Sequence, residues 1–303
     1  MDSKGQADRT GADGHGMEKK GPSRMAENVA LIRADESRKP EDERICYDPY
    51  AIRFIGREML ALMTRYPEKF KAEMDKHNRL MPGLANSLVA RVRYFDDVVE
   101  ASAGEGLEQL VVLGAGYDTR PYRIESLRNV RVFEVDSPDT VNAKMEKIRE
   151  IFGSLPAHVT YVPADLEIVK LGQRLEAGGY DRSKKTLFVM EGLLYYLPPE
   201  AVDETLAFIV HNSGKGSAVL FDYGRNREGK PTTSDLNGSD FARRQGEPVK
   251  SDITGPIETF LTERGFSGIR NLDSEDYKKI YFHGKNADRE VYDRSSFVYA
   301  VVK

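Results

Sequence analysis

Five short β-branched runs, at 110–113, 130–135, 159–163, 186–190 and 217–221, alternate with stretches of helical periodicity at 121–127, 140–152, 167–177 and 199–211. Alternation of this kind predicts a mostly parallel sheet with helices on both faces, an α/β architecture. The chain then resumes as a helix at 257–264 and as strands at 268–272 and 296–302. With no strong helical pattern between them, the last two strands predict a terminal hairpin. The sheet is then seven-stranded, with one antiparallel strand. Between the fifth strand and the late helix, 225–249 is long, polar and glycine-bearing, which predicts a loop or lid.

Between the first 22 residues and residue 104 the pattern is mainly helical. In 25–38, Ala26, Val29, Ala30, Ile32 and Arg33 are spaced for one buried face, and Pro40 with the following acidic cluster ends the helix. After Asp48-Pro49, residues Ala51, Phe54, Ile55 and Met59 recur at helical spacing. The segment 60–85 is rich in Met and charge, and its Met63, Phe70, Met74 and Met81 suit core packing more often than pocket lining. A further helix covers 86–103 and carries Arg91 and Arg93. The first 22 residues offer almost nothing to bury and read as a disordered leader. One domain over 23–303 is expected, with a helical part to 103 and the alternating core after it.

Composition narrows the class. A chain of 303 residues with 40% hydrophobic content can bury a large core, and a net charge of −4 argues against a nucleic-acid surface. The single cysteine, Cys46, forms neither an internal disulfide nor a metal cluster and fits a reducing cytoplasm. No metal-ligand spacing occurs. No apolar run approaches the ~20 residues of a membrane span, and the N-terminus lacks the apolar core of a signal peptide.

The chemistry begins at 111–120, Val-Val-Leu-Gly-Ala-Gly-Tyr-Asp-Thr-Arg, where the first strand breaks into a glycine turn. Gly114, Ala115 and Gly116 let a ligand approach the backbone without meeting side chains. A dinucleotide fingerprint needs a third glycine where Thr119 stands, and a P-loop needs Gly-Lys-Ser/Thr, which is missing. Asp136, about 20 residues on at the end of the second strand, can accept both ribose hydroxyls, as in NAD and S-adenosylmethionine sites alike. The third strand leads into Ala-Asp165-Leu166, an acceptor, a backbone donor and an apolar wall suited to adenine. Glu191, at the end of the fourth strand, can take the ammonium of a methionine moiety. Four decorated strand ends in succession favour S-adenosylmethionine.

These segments, VVLGAGYDTRPYR, FEVDSPDTVNAKMEKI, YVPADL and EGLLYYLPPEAVDETL, resemble the leucine carboxyl methyltransferase family, nearest its polyketide-biosynthesis-type O-methyltransferase branch. The resemblance extends over most of 25–300, including Ile32–Glu36 and Asp48–Ala51. It implies a methyltransferase-type Rossmann fold with helical additions capping the pocket. It further implies that Arg93 holds the methionine carboxylate, Gly114 faces the methionine backbone, Asp136 takes the ribose, Asp165 and Leu166 frame adenine, and Glu191 lies near the amino group. A basic residue from the N-terminal segment also contributes in this family, and Arg33 and Arg44 compete for that place.

An S-adenosylmethionine-dependent O-methyltransferase of a carboxylate or hydroxyl on a small acceptor is therefore expected. Tyr195 and Tyr196 are candidates for the acceptor side, while Arg120 suits a structural ion pair. No histidine falls inside a motif, which carboxyl methylation would tolerate because a carboxylate is already ionised. Three alternatives stay open: an NAD(P)-dependent oxidoreductase, a non-catalytic S-adenosylmethionine-binding module, and methylation of a protein C-terminus.

Overall fold

The computed structural model describes residues 21–167, 171–224 and 233–303. Helix α1 (Arg24–Ser37) is capped by Ser23, whose hydroxyl accepts the Ala26 N–H. A short 3-10 turn (Ala51–Phe54) leads to α2 (Arg57–Arg65) and α3 (Pro67–Leu80), and α4 (Leu84–Gly104) follows. Gly83 begins α4 at φ 74°, a left-handed conformation suited to glycine. These helices bury Leu31, Ala34, Ala51, Ile55, Met63 and Phe70 in a small core of their own.

The alternating region follows as β1 (Gln109–Leu113), a single helical turn α5 (Arg120–Arg123), β2 (Arg131–Asp136), α6 (Pro138–Phe152), β3 (Val159–Pro163), α7 (Leu171–Ala177), β4 (Thr186–Met190), α8 (Pro199–His211) and β5 (Ala218–Gly224). Then come α9 (Thr233–Arg244), α10 (Ile257–Glu263), β6 (Phe266–Leu272), α11 (Ser274–Tyr281) and β7 (Ser295–Val302). The sheet order is β3-β2-β1-β4-β5-β7-β6, with β7 antiparallel to both β5 and β6. The fold is thus the expected seven-stranded, mostly parallel α/β sheet.

The central strands read as continuous apolar runs because both faces are covered. Leu110 and Val112 face one core with Val89, Val92, Phe95 and Val99 of α4. Val111 and Leu113 face the other with Leu175 of α7 and Leu206 and Ile209 of α8. The order of strand addition reverses between the parallel neighbours β1 and β4, the switch point where open α/β sheets bind ligands beyond the strand ends.

Three expectations are revised. The segment 225–249 is not a loop throughout, since α9 occupies Thr233–Arg244; residues 225–232, like 1–20, lie outside the described residues. The last two strands are not a simple hairpin, because α11 stands between them. Its signal was a capping box, with Asp273 accepting the Asp276 N–H and Asp276 accepting the Asp273 N–H. The expected helix at 121–127 breaks into α5 and a 3-10 turn, Glu125–Asn129.

Gly83 decides how α4 starts. A Cβ there would lie 2.5 Å from the Val291 carbonyl carbon, on top of the positive φ. Gly83→Ala should lower stability by about 1–3 kcal/mol, measured as an earlier denaturant midpoint with an unchanged slope.

Candidate donor and acceptor site

A cavity of about 1580 Å³ lies over the carboxyl ends of β1 to β5 and is covered by the N-terminal helices and α9. One drug-sized ligand occupies roughly 300–1,000 Å³, so this volume accommodates two ligands side by side.

At one end of the cavity, the turn after β1 holds Gly114 at φ 65° and Gly116 at φ 42°. The turn is fixed from several directions. The Ala115 N–H bonds the Val135 carbonyl, and Lys144 of α6, paired with Glu134 at 2.8 Å, supports the turn from below. The Asp136 carboxylate accepts the Gly116 and Ser137 N–H groups, each at 2.7 Å. Burial raises the pKa of this carboxyl, and the two amides oppose that shift. Each oxygen keeps a lone pair for a further donor such as a ribose hydroxyl. Asp165 and Leu166 line the same end beyond β3. Donors, acceptors and bare backbone thus stand where an adenosyl group would need them, and the residues fit that group.

Behind the turn lies a buried ionic network. Arg120, 1% exposed, bonds Asp96 through Nε at 2.7 Å and both Asp118 and Glu191 through Nη1 at 2.8 and 2.6 Å. Arg123 bonds both oxygens of Asp96. Glu191 also receives Arg91 Nε at 3.1 Å, while Arg91 Nη1 donates to Asp222 at 2.7 Å. Asp222 in turn accepts the Gly192 N–H and the Tyr195 hydroxyl. Burial alone would raise the Glu191 carboxyl, but Arg120 and Arg91 outweigh it and hold the pKa below its ordinary value. Asp118 is likewise held down, by Arg120 and Lys144 against the effect of burial. Burial pushes the Tyr196 hydroxyl up to about 12 and Tyr195 well above its ordinary value, so both stay neutral.

Gly114, Ala115, Gly116, Asp136, Asp165, Leu166, Glu191, Tyr195 and Tyr196 all line this cavity. Arg93 does not. It lies on the outer face of α4, half exposed, paired with Asp97 one turn on and close to the Tyr281 ring. Arg91, two positions earlier and so on the opposite helix face, reaches the cavity instead. The i,i+4 pairing of Arg93 with Asp97 was the available sequence signal, because such pairs mark a solvated face. Of the two N-terminal candidates, Arg33 lines the cavity, donating to the Tyr117 carbonyl and pairing with Asp48 at 3.2 Å. Arg44 stacks on Tyr47 instead. Met74 and Met81 face the cavity, whereas Met63 and Phe70 belong to the core. Sequence reasoning also passed over Asp222 and Glu247, which carry no local motif, and set His77 aside for the same reason, although all three line the cavity. No group of three metal-ligating side chains occurs among the described residues, and no described helix is long and apolar enough to cross a membrane.

A family model described as leucine carboxyl methyltransferase matches residues 26–210. The chain belongs to the leucine carboxyl methyltransferase family. A Mycobacteroides abscessus protein named "Putative S-adenosyl-L-methionine-dependent methyltransferase" is 31% identical over 268 residues, covering 83% of this chain and 85% of that protein. The similarly named YktD of Bacillus subtilis is 27% identical over 257 residues, 83% of each chain. Among solved structures, a Thermobifida fusca "putative methyltransferase" shares the fold at TM-score 0.60 and 15% identity, covering 93% of this chain and 96% of that one. A DUF574-family protein of Streptomyces avermitilis does so at TM-score 0.57 and 15% identity, covering 90% and 97%. Membership makes the chain a methyltransferase of an S-adenosylmethionine-dependent family, with that molecule as its cofactor. The hydride-transfer alternative thereby falls.

Arg120→Met should be among the most damaging substitutions, because it leaves three carboxylates buried around a neutral side chain. Removing one partner of a buried ion pair costs about 3–5 kcal/mol, to be read by chemical unfolding. Asp118 and Glu191 are lowered in the folded state, so their contribution is present above the unfolded pKa and lost as pH falls through the folded one. Wild-type stability should therefore fall below about pH 4, with a shallower slope in Arg120→Met.

Proposed function

We propose that residues 23–303 form one S-adenosylmethionine-dependent O-methyltransferase domain acting on a carboxylate or hydroxyl oxygen of a small, polyketide-like molecule. The observation that carries this reading is the continuity of the cavity. The glycine turn and Asp136 stand at one end, and Met74, Met81 and Phe241 at the other, with Glu191 and Tyr195 between.

When bound, S-adenosylmethionine supplies an electrophilic methyl group. Arg91, in place of Arg93, holds the methionine carboxylate, and Glu191 takes the amino group. Gly114 and Gly116 pass beneath the methionine backbone. Asp136 receives the ribose hydroxyls, while Asp165 and Leu166 frame adenine. Arg33 ties α1 to the glycine turn through the Tyr117 carbonyl and so sets the roof over the donor end. Tyr195, held by Asp222, and Tyr196 border the acceptor, and the apolar wall keeps water away from the reacting atoms.

The reading requires donor binding through Asp136. S-adenosylhomocysteine should raise the melting temperature of the wild-type protein and of Arg93→Ala. In Asp136→Ala the shift should vanish. A wild-type-sized shift in Asp136→Ala would refute the ribose assignment, and loss of the shift in Arg93→Ala would restore Arg93 to the site.

A further inference from the structure

Strand β5 reads Ala-Val-Leu-Phe-Asp-Tyr-Gly, an apolar run broken by one aspartate. Side chains alternate along a strand, so Asp222 shares the face of Leu220, which lies in one core with Val92 and Phe95 of α4. The residue is 1% exposed, and a charge buried that far needs a partner. Arg91 of α4 supplies it, with Nη1 donating to Oδ2 at 2.7 Å. The same oxygen accepts the Tyr195 hydroxyl at 3.3 Å, and Oδ1 accepts the Gly192 N–H at 2.6 Å. Both oxygens of Asp222 are thus committed to the protein.

The Arg91 guanidinium is held in turn from several sides. Its Nε donates to Glu191, and the turn after β4 comes so close that a Cβ on Gly192 would stand 3.4 Å from Nη1 and 3.5 Å from Nη2. The neighbouring Arg120 and Arg123 spend all three guanidinium nitrogens on protein acceptors. Arg91 does not. Its Nη2 has no hydrogen-bond partner among the described residues and is open to the cavity that Arg91 lines. A guanidinium is planar and rigid, so fixing Nε and Nη1 also fixes where Nη2 points.

Building on the reading that Arg91 holds the methionine carboxylate, we propose that Asp222 is a positioning residue for the donor. It acts through Arg91, presenting Nη2 to the cavity, and so makes the site select a ligand that carries the carboxylate of the methionine portion. Two effects of the Asp222 charge compete. Through space it repels an incoming carboxylate, and through Arg91 it holds the group that binds one. Arg91 at 2.7 Å neutralises most of the repulsive field, so the holding effect prevails.

The test is calorimetry with S-adenosylhomocysteine and its decarboxylated analogue, which keeps the amine and lacks only the carboxylate. Wild type should prefer the full ligand by about tenfold or more. Asp222→Asn leaves an acceptor for Gly192 but turns a donor toward Arg91, and Asp222→Ser shortens the side chain beyond its reach. Both should weaken S-adenosylhomocysteine by about tenfold and leave the analogue nearly unchanged, and retained binding of the analogue shows that the variant is folded. Arg91→Met should abolish the preference, and adding Asp222→Asn to it should change neither affinity further, because nothing remains for Asp222 to hold. An unchanged preference in both Asp222 variants, an equal loss on both ligands, tighter S-adenosylhomocysteine binding, or a further loss in the double variant would overturn the proposal. A preference that survives Arg91→Met would instead strike the carboxylate reading of Arg91. Absence of S-adenosylhomocysteine binding in wild type would strike the donor reading beneath both.

Discussion

Arg120 is the point on which the site's geometry depends. Its guanidinium joins α4 through Asp96, the glycine turn through Asp118 and the end of β4 through Glu191. These three elements are far apart in sequence, and although β1 and β4 pair through the backbone, α4 is joined to their ends here through side chains. A planar fork of fixed donors suits that joint. Lysine, with a point charge on a flexible stem, would lose the geometry even where it kept the charge. The network is completed by desolvation. With Arg120 almost fully buried, every carboxylate around it is committed, and alternatives to the observed arrangement leave a charge without a partner.

That commitment also shapes the field at the switch point. Asp136 is stabilised by backbone amides, with no guanidinium bonded to it, and Glu191 shares its two oxygens between Arg91 and Arg120. Carboxylates therefore line the donor end without repelling the sheet apart, and the cavity stays suited to a cationic ligand. Arg91 belongs to both parts of this arrangement. It is paired with Glu191 and Asp222, and it lines the cavity.

The strand-end side of the cavity was legible in the sequence because its residues are local to strand ends. A glycine turn after an apolar run, and an acid at the end of each following strand, need only the parallel-sheet pattern to be brought together. Arg91 and Arg93 were not separable by motif, since both lie in Arg-Val-Arg-Tyr-Phe-Asp-Asp. Helical period separates them, placing Arg93 beside Asp97 on the solvated face. The ion pairing of Arg120 was expected, but its extent was not, because Asp96, Asp118, Glu191 and Asp222 meet only through the tertiary fold. The helices α9 and α11 were missed because short, charged helices bury few residues, only Ser274 and Tyr277 in α11, and so show little periodicity.

The acceptor end was the least legible, and the structure gives the reason. Its walls come from α3 with Met81 just past its end, the start of α4, and α9, which meet with small contacts such as Gly238 opposite the Met81 sulfur. The same stretch of chain that supplies Phe241 to this wall ends at Glu247, which accepts the Ser23 hydroxyl at 2.7 Å beside the donor end. The Ser23 and Gly21 N–H groups are bonded in turn to Thr140 and Asp139, just past Asp136. One covering segment thus reaches from the α9 wall to the turn beside Asp136, anchored by side-chain hydrogen bonds. Such anchors tolerate wide sequence change, so this covering wall can be rebuilt while the strand-end residues on the sheet side of the cavity stay as they are.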